Sequence, residues 1–276
     1  MKKGEVYEGI VEKTEFPNKG IVQIEEHRVA VKNTLPGQKV CFRLKKVRKG
    51  VGEGQLLEVL EPAANEITPE CPHFADCGGC TWQNLSYEEQ RLLKEGQLKK
   101  LLDGAVTTPY VFEGVKDSPR QMEYRNKMEF SFGDEEKDGP LALGMHKRGS
   151  FYDIVTADQC RIVDEDFRKI LTCVLKHFEK KGLPFYHRLR HMGYLRHLLV
   201  RKAANTGEIL VDLITTTQHL REDGGDYSAL AADESWVQEL QALSLDGQIV
   251  GILHTYNDSL AYVVQNDRTE LLYGRA

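Results

Sequence analysis

The tightest constraint in the sequence is the stretch Cys71-Pro-His-Phe-Ala-Asp-Cys77-Gly-Gly-Cys80, with three cysteines spaced C-x5-C-x2-C. Thiolates this close can turn inward on one centre. Gly78 and Gly79 free the backbone between the last pair to wrap around it. A metal or cluster takes four ligands, and Cys160, in Asp158-Gln-Cys160, is the candidate for the fourth. The N-terminus has no apolar leader core and no apolar run reaches bilayer length, so a cytoplasmic chain without membrane contact is expected. Reduced cysteines there favour metal over disulfides. A zinc ribbon usually shows two C-x2-C knuckles, and only Cys77 and Cys80 form one. Four thiolates from Cys71, Cys77, Cys80 and Cys160 would instead close a [4Fe-4S] cluster. Cys41 and Cys173 read as small buried or half-buried residues.

Residues 1 to 61 alternate short apolar runs with turns. Val40, Phe42 and Leu44 face away from Cys41, Arg43 and Lys45, the period of a half-buried strand. Five such strands predict a small antiparallel barrel of the OB type, a fold that commonly binds nucleic acid. The first 60 residues carry 12 Lys and Arg against 8 Asp and Glu, although the chain has a net charge of -5. A basic module on an acidic body points to local contact with a polyanion. Its cations Arg43, Lys45, Lys46, Arg48 and Lys49 fall on the last hairpin. Gly52-Glu-Gly54 reads as a turn pair without catalytic meaning.

Residues 62 to 70 form a Pro-rich linker, and 71 to 276 a second domain. Ser86-Tyr-Glu-Glu89 is a capping box for a helix ending near Asp103, with Gly104 just beyond. Residues 121 to 132 alternate as a strand interrupted on its apolar face by Asn126. Leu141 to His146 and Phe151 to Val155 pair across Lys147-Arg148-Gly149-Ser150. Phe167, Ile170, Leu171, Val174, Leu175 and Phe178 make an amphipathic stripe on a helix from 164 to 181. No acidic residue occurs between Glu179 and Glu208, a gap that holds Arg188, Arg190, Arg196 and Arg201 beside Tyr186 and Tyr194. Cations next to rings suit single-stranded RNA, with charge on the backbone and rings under the bases. A helix over 226 to 244 and a strand over 249 to 256 complete the reading. No P-loop, G-x-G-x-x-G turn or nucleophile elbow occurs.

The order Leu35-Pro-Gly37, Cys71-x5-Cys77-Gly-Gly-Cys80-x-x-Gln83, Tyr124-Arg-Asn-Lys127, Asp158-Gln-Cys160, Leu195-Arg-His-Leu-Leu-Val-Arg201 and Asn257-Asp258 resembles the bacterial RNA 5-methyluridine methyltransferases. It is most similar to the iron-sulfur type acting on uracil C5 of large-subunit rRNA. The resemblance implies a TRAM barrel and then an α+β domain with an antiparallel sheet and the [4Fe-4S] cluster. Beyond these it implies a Rossmann-like domain that binds S-adenosylmethionine. A cysteine thiolate adding to C6 of uracil gives C5 the electron density to take the methyl group. None of the six cysteines lies in the family's nucleophile motif, and the sequence stops at Ala276. The expectation is therefore a part that lacks the Rossmann-like domain and holds 23S rRNA and the cluster without performing the chemistry. Its RNA contacts would be Arg43, Lys45, Lys46, Arg125, Lys127, Lys147, Arg148, Arg188, Arg190 and Arg196. No protein partner is implied. A tRNA uracil-5-methyltransferase relative and a non-catalytic iron-sulfur RNA-binding module are the alternatives.

Overall fold

The computed structural model describes every residue except 49, 222 and 262–265, so Lys49 of the basic hairpin lies outside the described residues. The chain divides into two units, Met1–Glu70 with Cys80–Pro119, and Cys71–Gly79 with Arg120–Ala276.

In the first unit β1 (Val6–Glu15), β2 (Lys19–Ile24), β3 (His27–Lys32), β4 (Lys39–Arg48) and β5 (Val51–Glu61) close into a barrel of order β1-β2-β3-β5-β4. All neighbours are antiparallel except β3 and β5, which run parallel. Val11, Val22, Val29, Val31, Val40, Phe42 and Leu44 fill the interior. Gly52 and Gly54, expected in a turn, lie instead on β5 and make room for this core. A Cβ on Gly54 would fall 2.6 Å from the Phe42 ring, and one on Gly52 would fall 3.0 Å from Leu44. Glu66 fastens the segment after the barrel. It accepts from Gln38 Nε2 (2.8 Å), Ala63 N (2.7 Å) and Asn84 Nδ2 (2.8 Å).

Helix α1 (Tyr87–Ala105) starts at the Ser86–Glu89 capping box. It runs through Gly104, whose φ is not positive, and ends with Val106 N–H on Leu102 O at 2.8 Å. None of its residues is fully buried.

The second unit is built on a seven-stranded sheet. Its strands are β6 (Lys127–Asp134), β7 (Leu141–His146), β8 (Ile154–Thr156), β9 (Leu195–Lys202), β10 (Glu208–Thr215), β11 (Gln248–Tyr256) and β12 (Arg268–Gly274). Their order is β12-β11-β10-β9-β6-β7-β8. The expected antiparallel sheet is corrected to a mixed one, because β10 and β11 are parallel. Parallel neighbours need a crossover, and the chain between them carries two short helices, α3 (Ser228–Ala231) and α4 (Ser235–Gln241), in place of the one expected. The strand expected from 121 begins only at Lys127. Glu123 sits at φ 54°, and Asn126 is exposed instead of interrupting a buried face.

Helix α2 (Glu165–Lys181) keeps its predicted stripe, with Phe167, Ile170, Leu171, Val174 and Phe178 buried. Asp164 caps it and Gly182 ends it at φ 63°. Phe178 meets Phe132 of β6 edge-on at 6.0 Å and Trp236 of α4 at 6.3 Å, so the stripe joins sheet to crossover. Among the described residues no helix is long and apolar enough to cross a membrane.

Candidate functional site

The cysteine stretch is a loop of the second unit up to Gly79. Cys77 bridges Lys147, Gly78 N–H donates to His146 O (2.8 Å), and Arg148 N–H donates to Asp76 O (2.6 Å). The Arg148 guanidinium closes the turn on Phe74 O (2.9 Å) and Cys77 O (3.2 Å) and lies over the Phe74 ring. On the other side His73 Nε2 accepts from Gln159 N at 3.2 Å. The loop is thereby pinned between the β7–β8 turn and the segment that carries Cys160.

These links do not make a metal centre. Among the described residues no group of three or more His, Cys, Asp or Glu can hold a metal ion, so the expected cluster on Cys71, Cys77, Cys80 and Cys160 is corrected. The Cys80 Sγ accepts from Gln83 Nε2 at 3.1 Å. The Cys77 Sγ accepts from Gly79 N–H at 3.3 Å. Burial pushes the Cys77 thiol up, with Cys160 and Cys71 adding to the shift against Gly79 N–H and Arg148.

The basic residues separate into exposed, half-buried and core groups. Arg43 and Lys45 point out from β4, with Lys45 at a bulge and Lys46 half-buried. Arg125, Lys127, Arg190 and Arg201 are exposed. Lys147 is half-buried, and so is Arg188, whose Nη1 donates to Phe151 O at 2.7 Å.

Arg196 was expected at an RNA surface and is a core residue, 0% exposed. Its strand β9 lies at the middle of the sheet, buried on both faces from Leu195 to Val200. The guanidinium donates from Nη1 to Asn257 O (2.8 Å) and Ser259 O (2.7 Å), and from Nη2 to Ala261 O (2.7 Å). It stacks 4.3 Å over Tyr186. Beside it Asp258 accepts from Thr217 N (2.8 Å) and Oγ1 (2.9 Å). The expected stacking rings Tyr186 and Tyr194 are also buried.

Among the rings that do reach solvent are Phe151 and Tyr152, beside the basic turn. They were read as part of a strand, but β8 starts only at Ile154 and leaves both on the turn. The signal for them was the adjoining basic turn Lys147-Arg148-Gly149-Ser150.

Burial shifts the titration of several groups, His197 and Asp212 among them. Burial, with Arg196 beside it, pulls His197 down to about 3. Burial pushes Asp212 on β10 up to about 6, against a hydrogen bond from Thr255. Its other oxygen, Oδ1, has no hydrogen-bond partner among the described residues. A carboxyl whose folded pKa exceeds its unfolded value of about 3.9 contributes its full stability below that pH and loses it as pH rises through the folded pKa. Asp212→Asn is therefore expected to stabilise the protein by about 2 kcal/mol at pH 8 and by nothing at pH 4. Urea unfolding at the two pH values checks this, and equal effects at both would refute it.

No family model matches the chain. A Clostridium tetani protein named "Uncharacterized RNA methyltransferase" is 44% identical over 275 residues, covering 100% of this chain and 58% of its own length. An RNA methyltransferase so named from Caldanaerobacter subterraneus is 42% identical, with 59% of its length covered. The chain thus spans somewhat more than half the length of the curated relatives it matches. The crystal structure of Pyrococcus abyssi tRNA (uracil-54, C5)-methyltransferase with S-adenosyl-L-homocysteine matches with a TM-score of 0.67 and 19% identity, over 97% of this chain and 55% of that one. Nearly the whole chain therefore takes the fold of part of a methyltransferase chain. This replaces the expected fold class, in which the second domain carried an antiparallel sheet and a cluster.

Proposed function

We propose that this chain serves a methyltransferase that transfers a methyl group from S-adenosylmethionine to C5 of a uridine in RNA, and that it holds the RNA. The observation that carries this reading is the 44% identity over 275 residues with a protein named as an RNA methyltransferase. The fold match to a tRNA uracil-C5 enzyme supports the choice of base and atom. In this reading the barrel and the exposed cations Arg43, Lys45, Arg125, Lys127 and Arg190 track the RNA backbone. Phe151 and Tyr152 offer faces for unpaired bases.

The methyl donor supplies an electrophilic carbon, and no residue of this chain is assigned to it. The carboxyl ends of a parallel strand pair are where α/β sheets receive nucleoside cofactors. At β10 and β11 those ends are tied off by the Arg196 guanidinium and the Asp258–Thr217 bonds, which do not fit a donor.

Large-subunit rRNA and tRNA are the two substrate readings, and the fold neighbour favours tRNA. Full-length protein incubated with labelled S-adenosylmethionine and either 23S rRNA or unmodified tRNA is expected to yield 5-methyluridine on one of them. RNA binding without methyl transfer would leave only an RNA-binding module, and label on another base or atom would overturn the uridine-C5 reading.

A further inference from the structure

The sheet of the second unit sets two cations face to face. Lys127 of β6 and Arg201 of β9 are directly opposed in the antiparallel register. Next to them Lys202 N–H donates to Asn126 O at 3.0 Å. Hydrogen-bonded and non-hydrogen-bonded pairs alternate, so Lys127 and Arg201 form the second kind, with Cα atoms about 4.5 Å apart and side chains at their closest. Both side chains leave the same face, and both are exposed.

Like charges directly opposite each other destabilise a sheet. No carboxylate relieves this pair, because the acids nearby are engaged or out of reach. Glu208 pairs with Arg275, while Asp164 (2.7 Å) and Asp166 (2.6 Å) hold Lys202. Glu129 lies two residues along the same face of β6, opposite Leu199. Among the described residues neither Lys127 nor Arg201 has an ion pair within 4.0 Å. The two cations open on a cleft of about 560 Å³ whose lining includes Asn126, Glu208 and Arg275. Arg125, also exposed, donates from Nε to Lys127 O at 3.1 Å at its edge.

We propose that this cleft is a phosphate-binding site in which Lys127 and Arg201 clamp one phosphodiester of the RNA, an assignment that rests on the RNA-methyltransferase reading. The guanidinium fork matches two phosphate oxygens, the ammonium supplies a point charge, and the exposed Asn126 amide can donate at the rim. A bound phosphate turns the repulsive pair into two attractive contacts, which explains why the sheet tolerates it.

The test uses Lys127→Gln, Arg201→Gln and the double variant. Without phosphate each single variant is expected to melt at or above wild type, since repulsion is removed. Adding inorganic phosphate, against chloride at equal ionic strength, should raise the wild-type melting temperature and leave the double variant unmoved. With RNA, the double variant should bind at least tenfold more weakly at moderate salt, and its log affinity against log salt should flatten by about 1.5.

A phosphate shift kept in the double variant together with an unchanged salt slope would overturn the site. So would single variants that melt well below wild type, which would mark the pair as structural. Loss of the phosphate shift with an unchanged RNA slope would overturn RNA as the source in favour of free phosphate. Wild type that responds to phosphate but binds no RNA would overturn the methyltransferase reading and leave the anion site standing.

Discussion

Arg196→Ala is expected to remove on the order of 5 kcal/mol of stability, enough to unfold many domains of ordinary stability. Three carbonyls, those of Asn257, Ser259 and Ala261, accept from its guanidinium, which is 0% exposed, and the first of them is buried as well. Each hydrogen bond to a charged donor contributes roughly 1.5–3 kcal/mol, and a buried acceptor left alone costs about 1–3 kcal/mol. The stacking contact with Tyr186 is lost as well. Arg196→Lys keeps the charge but not the fork, and is expected to lose about half as much. Arg190→Ala, at an exposed position, should stay within about 0.5 kcal/mol of wild type. Urea unfolding of the three variants decides the matter. If Arg196→Ala came within about 1 kcal/mol of wild type, the carbonyls would have other donors and Arg196 would not organise the segment after β11.

The second large effect is expected at Asp166, in the first turn of α2. Its carboxylate is 1% exposed and joins three parts of the second unit. It receives Lys202 Nζ (2.6 Å) from β9, and Asp246 N and Gly247 N (both 2.8 Å) from the approach to β11. Asp166→Ala leaves the Lys202 ammonium with Asp164 alone and strands two backbone donors, a loss of about 3–5 kcal/mol. Burial raises the Asp166 pKa, but Lys202 and the two N–H groups outweigh it and hold the carboxyl below its ordinary value. A depressed carboxylate contributes stability above the unfolded pKa of about 3.9 that is lost as pH falls through the folded pKa. The gap between wild type and Asp166→Ala should therefore be constant from pH 7 to 5 and narrow only below pH 4. A gap that closed between pH 7 and 5 would assign the effect to another group.

Local patterns in the sequence were enough to determine several elements. The Ser86–Glu89 capping box, the α2 stripe with Asp164 and Gly182 at its ends, and the alternation of Val40, Phe42 and Leu44 all depend on neighbours within a few residues. Propensity and periodicity act over that range. The edge strand β12 was not legible, because Arg268–Gly274 has no buried residue to give it an apolar face. Nor was the parallel pairing of β10 with β11, which depends on where the crossover returns.

The site residues show the same division. Sequence alone could count the cations between Glu179 and Glu208 but could not sort them. A central strand buried on both faces took Arg196 and His197 into the core, while Arg190 and Arg201 stayed outside. Spacing alone suggested one centre for Cys71, Cys77, Cys80 and Cys160, yet the tertiary structure gathers no metal site among the described residues. Which basic side chains meet was likewise decided only by register, which sets Lys127 opposite Arg201 although they lie far apart in the chain. Charge and periodicity belong to the sequence because they follow from residue identity and short spacing. Burial and opposition belong to the fold because they depend on which distant strand lies alongside.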